Sequence, residues 1–472
     1  MADVREVPLL VIGGGPGGYP AALHAADHGL KVTLVDESPQ LGGVCLNRGC
    51  IPSKALLHTA KIIREAHEMA QYGVTFGQPQ IDLAKLRDFV QAKVIGKLTS
   101  GIHQLTKGRG VDVVTGRAVF TSPHTVEVTG PVPQTIRFDK CIIATGSVPV
   151  IPKPWQINDQ RVMDSTAALL LPEIPSKLLV IGGGYIGLEL GSVYAALGSR
   201  VTVVEALERI LFMADKDLVE PLEKRLRAEF EAIYTNTQVI GLEATPDGIA
   251  VRLEGSGVPT SLVFDRVLVA VGRRPNSAGL GLEKAGVRVN EKGYIPIDKQ
   301  RRTNVPHIFA IGDVGEEPAL AHKATAEARV AVEVILGEPA EWNPRCIPAV
   351  IFTDPEIAWA GLTQMEAEKA NIPHEVLSFP WAASGRAVTI ARTEGRTKMI
   401  VEPETKRILG VGIVGAGAGE MIAEGVLAIE MGAVARDVLE SIHPHPTLSE
   451  TVMEAAELAY GAATHMAKPR KR

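Results

Sequence analysis

The sequence predicts an α/β fold: two βαβ units built on parallel sheets, followed by a separate C-terminal α+β domain. Three observations carry this reading. Leu9-Leu10-Val11-Ile12-Gly13-Gly14-Gly15 recurs letter for letter as Leu178-Leu179-Val180-Ile181-Gly182-Gly183-Gly184, an offset of 169 residues. Both copies continue into a small-residue helix, a glycine at its end (Gly29, Gly198) and a β-rich run closing on an acid, Asp36 or Glu205. From about residue 346 the pattern changes to apolar strand-like runs, Ile347–Phe352 and Arg407–Val414, and then to helical periodicity over Gly419–Met431.

An offset of this length is far too long for a solenoid repeat. Two separate Rossmann-like domains explain it, and 472 residues exceed what one core can hold. The first domain is expected over 1–149 and the second over 150–276, with Pro-rich Val150–Trp155 as linker and Ala270–Pro275 as exit. A central segment, 277–346, carries the strand-then-turn signal Ile308–Asp313 and completes the first domain; 347–472 form the C-terminal one.

Net charge is −5 with both signs spread along the chain, which argues against a nucleic-acid-binding face. The basic run Lys468–Arg472 reads as a solvated tail. No apolar run reaches the roughly 18 residues of a membrane span. The apolar run Val7–Ile12 is strand-length and flows into glycines, with no signal or transit layout, so the mature chain is expected to begin at residue 1 in the cytoplasm. Four cysteines are too few for a secreted disulfide scaffold. No metal site is predicted.

Gly13-x-Gly15-x-x-Gly18 follows a strand and opens a helix, as does Gly182-x-Gly184-x-x-Gly187. The first glycine makes the tight turn, the second lets backbone approach a pyrophosphate, and the third permits close helix–strand packing. Helix N-terminal amides then hold the phosphates. Asp36 and Glu205 follow at the distance from which a carboxylate accepts from ribose hydroxyls. One such loop is a weak signal; strand, glycines, helix, strand and acid occurring twice is a strong one. Glu205 also repels the 2′-phosphate of NADP, so NAD is favoured although Arg209 stands close in sequence.

The stretch Leu41-Gly-Gly-Val-Cys45-Leu-Asn-Arg-Gly-Cys50-Ile-Pro-Ser-Lys54 adds a redox pair. Four intervening residues with a glycine can bring two Cβ atoms into bridging range. Pro52 suits a first helical turn, so Cys50 sits at a helix N-terminus, which lowers a thiol pKa. Lys54 lies one turn beyond and is placed to pair with Glu189 where the domains meet. Cys141 and Cys346 begin or occupy apolar runs without near neighbours and read as packing residues. Two nucleotide sites and a disulfide predict FAD in the copy carrying the cysteines and NAD in the other.

With these residues in hand, nearly the whole chain resembles the pyridine nucleotide–disulfide oxidoreductases. The form Cys-Leu-Asn-x-Gly-Cys-Ile-Pro-Ser-Lys over 45–54 is similar to the dihydrolipoamide dehydrogenases, whereas glutathione reductases read Cys-Val-Asn-Val-Gly-Cys-Val-Pro-Lys-Lys. Leu320–Lys323, Phe352–Trp359 and Phe379–Arg386 point the same way. The resemblance implies that Cys45 is the interchange thiol and Cys50 the thiol against the flavin, with Lys54 near the flavin and paired to Glu189. It implies that Gly13, Gly15, Gly18, Asp36, Gly42, Gly43, Ala118, Thr145, Gly146, Asp313 and Ala321 contact FAD. Gly182, Gly184, Tyr185, Ile186, Gly187, Glu205, Val239, Ala270, Gly272 and Arg273 would contact NAD. Three departures stand out: Arg48 for the usual Val, expected to tune the disulfide; Tyr185 for an aliphatic residue, expected to gate the nicotinamide pocket; and Pro20 early in the first helix.

Ile442-His-Pro-His-Pro-Thr-Leu-Ser-Glu450 is similar to the family's His-x-His-Pro-Thr-x-Ser-Glu signature. Thiol–disulfide exchange needs a base because the thiolate is the nucleophile. The resemblance makes His445 that base and Glu450 its orienting carboxylate, with His443 a bystander. It places the pair against the other subunit's cysteines, which implies a homodimer joined through the C-terminal interface domain. It also implies partners: lipoyl domains and the acyltransferase core of 2-oxoacid dehydrogenase complexes, or glycine cleavage. No lipoyl-like segment precedes the first glycine loop, so lipoate is expected to arrive on a partner. Other readings stand beside it: an NADPH-driven glutathione-type or mercuric reductase, or mainly a binding subunit of the complex. Glu205 and the lack of a terminal cysteine pair argue against the reductases; the intact Cys45, Cys50, His445 and Glu450 set argues that catalysis is retained.

Overall fold

The computed structural model describes residues 4–466. The basic run Lys468–Arg472 lies outside the described residues.

Leu9, Leu10, Val11 and Ile12 are all buried because the strand Val4–Ile12 runs through the middle of a sheet covered on both faces. That sheet has the order Asp112–Thr115, Val32–Asp36, Val4–Ile12, Gln134–Ile143, Thr125–Thr129, Arg117–Ser122, and Ile308–Ala310 also pairs with Gln134–Ile143. Its central pairings are parallel, and the hairpin strands at 117–129 are antiparallel. Leu280, Leu282, Val287 and Ile295 pack with Phe120 and Phe138 of the same core, so the chain after residue 277 returns to the first unit.

The second sheet runs Ala232–Tyr234, Arg200–Val204, Lys177–Ile181, Arg266–Val269, Val162–Met163, all parallel. The internal repeat holds down to single hydrogen bonds. Gly13 N–H donates to Val35 O at 2.8 Å, and Gly182 N–H donates to Val204 O at 2.9 Å. The expected helices are Gly18–Asp27, with Pro20 in its first turn, and Tyr185–Leu197. Gly29 and Gly198 both close at positive φ, +82° and +115°, where a Cβ would be strained. The expected linker contains one short 3₁₀ turn, Lys153–Trp155.

Ser147–Pro149 pairs antiparallel with Arg273–Pro275 and ties the two units together. The helix Cys50–Glu68 does the same through packing: Leu56 and Leu57 share a core with Leu188 and Leu190 of the second unit and with Ile351, Ile357 and Val414 further on. The C-terminal sheet is antiparallel, in the order Ala349–Ile351, Glu356–Gly361, Ile408–Gly415, Arg396–Val401, Glu375–Pro380. Ala418–Met431 and Glu450–Glu457 cover it over Trp381, Phe379 and Met399. The two strands and the helix expected here differ from the observed bounds by one or two residues. No described helix is long and apolar enough to cross a membrane.

Candidate active site

Gly42 and Gly43 take positive φ, +109° and +58°, and turn the chain into the short helix Gly43–Arg48 that carries Cys45. Asn47 secures this turn: its Nδ2 donates to the carbonyls of Gln40, Leu41 and Gly43 at 3.1–3.3 Å. Gly49 breaks the helix, and Cys50 opens the next one, Cys50–Glu68. The two thiols are unbridged and face one another.

Both cysteines line a cavity of about 440 Å³. Its wall brings together Gly13, Gly15, Asp36, Gly43, Lys54, Ala118, Thr145, Gly146, Asp313 and Ala321 from the expected flavin set, with Tyr185, Ile186, Arg273 and Glu189. Gly18 and Gly42 stand behind the wall: a Cβ at Gly18 would collide with Gly13 O, and one at Gly42 with Leu46. A Cβ at Gly15 would meet only Gly43 Cα, at 3.8 Å, so the backbone there stays accessible to the close approach a pyrophosphate requires. Asp36 Oδ2 accepts from Gly14 N–H at 2.5 Å and Oδ1 from Ser38 N–H at 2.7 Å. Burial nonetheless pushes its carboxyl above the usual carboxylate range.

The second loop repeats this geometry. Glu205 accepts from Gly183 N–H and Leu207 N–H, each at 2.7 Å. Gly182, Gly184, Gly187, Glu205, Ala270 and Gly272 lie outside the wall of the first cavity. Val239 packs its side chain in the core with Val204 and Val251, which leaves contact with a ligand to its main chain. Arg209 is engaged locally: its guanidinium donates to Leu211 O at 3.2 Å and Phe212 O at 2.9 Å.

Lys54 Nζ meets Glu189 Oε2 at 2.8 Å and lies 4.4 Å from the Phe352 ring centre. The other Glu189 oxygen accepts from Phe352 N–H at 2.9 Å. A carboxylate only 3% exposed is thus fully engaged, and three parts of the chain meet on it. Cys45 donates to Cys50, which drives the Cys50 pKa down to about 7, with Lys54 adding to the effect and burial opposing it. The same hydrogen bond, with burial, raises Cys45. Arg48 is exposed on the cavity wall, and its charge is a minor influence that favours the ionised Asp36 carboxylate.

His445 Nδ1 lies 2.8 Å from Glu450 Oε1, and Glu450 Oε2 accepts from Thr447 N–H at 2.7 Å. These two contacts outweigh burial and hold the Glu450 carboxyl below its usual range. The His445 side chain is 75% exposed and takes no part in the cavity wall of its own chain. His443, the expected bystander, is buried and bound to Glu424 Oε1 at 2.7 Å. Cys141 is buried in the strand Gln134–Ile143, and burial raises its thiol; Cys346 is half-buried and pushed up to about 11. Ser147, Asn276 and Phe352 also belong to the site, and sequence reading missed them because none stands in a glycine or cysteine motif.

The pyridine nucleotide-disulphide oxidoreductase family matches residues 7–328, and that family's dimerisation domain matches residues 347–456. The chain belongs to the pyridine nucleotide-disulphide oxidoreductases. Within them, it is 48% identical to the dihydrolipoyl dehydrogenase of Vibrio parahaemolyticus, over 99% of this chain and 98% of that one. It is 45% identical to the dihydrolipoyl dehydrogenase of Geobacillus stearothermophilus over 98% of each. Among solved structures, LpdA from Mycobacterium tuberculosis matches with a TM-score of 0.88 at 26% identity, covering 96% of this chain and 99% of that one. The HOCl-induced flavoprotein disulfide reductase RclA from Escherichia coli matches at 0.86 and 29%, with the same coverage.

Proposed function

We propose that this oxidoreductase oxidises the dihydrolipoyl group of a carrier protein with NAD⁺, through the Cys45–Cys50 pair and a bound FAD. One observation carries the reading: Cys45 and Cys50, unbridged and with Lys54 beside them, line the wall of the first dinucleotide cavity. Full-length similarity to dihydrolipoyl dehydrogenases supports the substrate. The open approach at Gly15 and the acceptor at Asp36 suit FAD; Glu205, with Arg209 already occupied, suits NAD. A flavin held there would supply the two-electron redox chemistry between the thiol pair and a nicotinamide.

The chain's own residues do the rest. In the oxidised form Cys45 and Cys50 share a disulfide. The partner subunit's His445, oriented by Glu450, takes a proton from one substrate thiol. The thiolate attacks Cys45 Sγ; the Cys45–Cys50 bond breaks, and Cys50 leaves as thiolate, suited to that by its lowered pKa. The second substrate thiol then closes the lipoyl disulfide and releases Cys45, which takes the proton. Lys54, held by Glu189, keeps positive charge beside the Cys50 thiolate.

A composite site explains why His445 is exposed and stands outside the cavity wall that carries its own chain's cysteines. The dimerisation domain supports a homodimer; docking of the dimer on a 2-oxoacid dehydrogenase core, in a reducing cytoplasm, is part of this proposal. So are the domain limits 1–149, 150–276, 277–346 and 347–472. The test is to mix the purified protein with dihydrolipoamide and NAD⁺ and follow NADH. Formation of NADH is the expected result. No turnover, with rapid NADPH oxidation by glutathione disulfide, would replace this reading with the reductase one.

A further inference from the structure

Ser147 lies on the cavity wall and is only 4% exposed. Its hydroxyl donates to Asp313 Oδ2 at 2.5 Å and accepts from Arg273 Nε at 2.8 Å. Its carbonyl oxygen takes a second donor of the same guanidinium, Nη2, at 2.7 Å. The direction is forced. A carboxylate can only accept and a guanidinium can only donate, so the single hydroxyl proton points at Asp313.

The three residues come from separate stretches. Ser147 and Arg273 stand on the paired strands that join the two units. Asp313 sits in the turn Gly312–Val314, which buried Glu327 anchors by accepting from Gly312 N–H at 2.6 Å. Among the described residues, Arg273 Nη1 and Asp313 Oδ1 have no hydrogen-bond partner within the chain, which leaves both for a ligand. One end of the relay offers an acceptor; the other offers donors and a positive charge.

We propose that Ser147 is a positioning residue that couples the two dinucleotide sites, aiming the Asp313 carboxylate at the flavin dinucleotide and the Arg273 guanidinium at the nicotinamide dinucleotide. The proposal rests on the cofactor assignment above. Because the hydroxyl bonds both ends, a ligand that holds one end restricts the motion of the other, and each nucleotide then tightens the other by the same factor.

The test uses full-length holoenzyme. Flavin fluorescence on serial dilution reports FAD retention, with and without saturating NAD⁺. NAD⁺ should tighten retention in wild type by about fivefold or more. Ser147→Ala should weaken it about tenfold, the loss of one hydrogen bond to a charged group, and abolish the response to NAD⁺. Ser147→Thr, which keeps the hydroxyl, should restore both. Wild-type retention or a preserved NAD⁺ response in Ser147→Ala overturns the proposal, as does the lack of any NAD⁺ effect in wild type. A lowered Tm with the NAD⁺ response intact also overturns it, since it marks Ser147 as structural only. Protein that carries no FAD and takes up none removes the cofactor assignment, and the coupling with it.

Discussion

Cys45 donates its S–H to Cys50, and that one contact moves the two thiol pKa values in opposite directions. The thiolate that results sits beside the Lys54 ammonium, while the proton stays on the thiol that would face substrate. Alkylation of the reduced protein by iodoacetamide should therefore rise with a midpoint near pH 7, about where Cys50 ionises. Cys45→Ala removes the donor and should move that midpoint upward. An unmoved midpoint would assign the acidity to Lys54 alone. His445 has the opposite design: it is oriented by Glu450 and left open to solvent. His445→Gln should lower dihydrolipoamide turnover about 10²-fold or more. A near-normal rate would remove it as the base.

The two glycine loops are built alike, yet their glycines answer to different demands. A Cβ at Gly187 would strike Gly182 O and lie 2.9 Å from a Val180 methyl, whereas one at Gly184 would meet nothing within 4 Å. Gly187→Ala should cost about 1–3 kcal/mol of stability, the usual range for overpacking. Gly184→Ala should leave the Tm unchanged and weaken NADH binding about tenfold or more, since the added methyl stands where backbone must approach a phosphate. Thermal melting and NADH fluorescence titration separate the two; a stable Gly187→Ala with normal binding would contradict the packing argument. This contrast was legible in sequence, because a turn, a close approach and a helix–strand contact are all local requirements. The burial of the Val239 side chain was not: only packing against Val204 and Val251 shows which face of its strand it takes.

Asp354 joins the three parts of the molecule behind the active site. Its carboxylate contacts Arg392, lies 3.3 Å from Arg225 and 3.8 Å from Arg64, and so ties the C-terminal part to the helices Lys216–Glu229 and Cys50–Glu68. Burial raises its pKa, but Arg392 and Arg225 outweigh burial and hold it below the usual value. A carboxyl more acidic folded than unfolded stabilises the fold at neutral pH, and that contribution fades as pH falls below about 4. Asp354→Ala should cost about 3 kcal/mol or more at pH 7, because it leaves guanidinium groups buried without a counter-charge. Denaturant unfolding measures this, and an unchanged midpoint would make the cluster neutral. The proposal that the site is shared between subunits is tested on the assembled molecule. Inactive Cys50→Ser and His445→Gln dimers, dissociated together and reassociated, should regain activity, since each hybrid dimer carries one complete site. No recovery would place both halves on one chain.

Sequence alone determined the two nucleotide folds, the redox pair and the preference for NAD. Each rests on neighbours in the chain, on spacing short enough for backbone geometry to dictate. It also marked Lys54 and Glu189 as partners, although they are 135 residues apart. Tertiary structure decided the rest. Phe352 reaches Glu189 because three parts of the chain share one core at the helix that begins with Cys50. Ser147 lies in no motif; it bridges Arg273 and Asp313 because two strands far apart in sequence pair at the junction of the units. Hydrogen bonds between distant segments leave no periodicity or spacing to read, and these are the contacts that set the charges around the cavity.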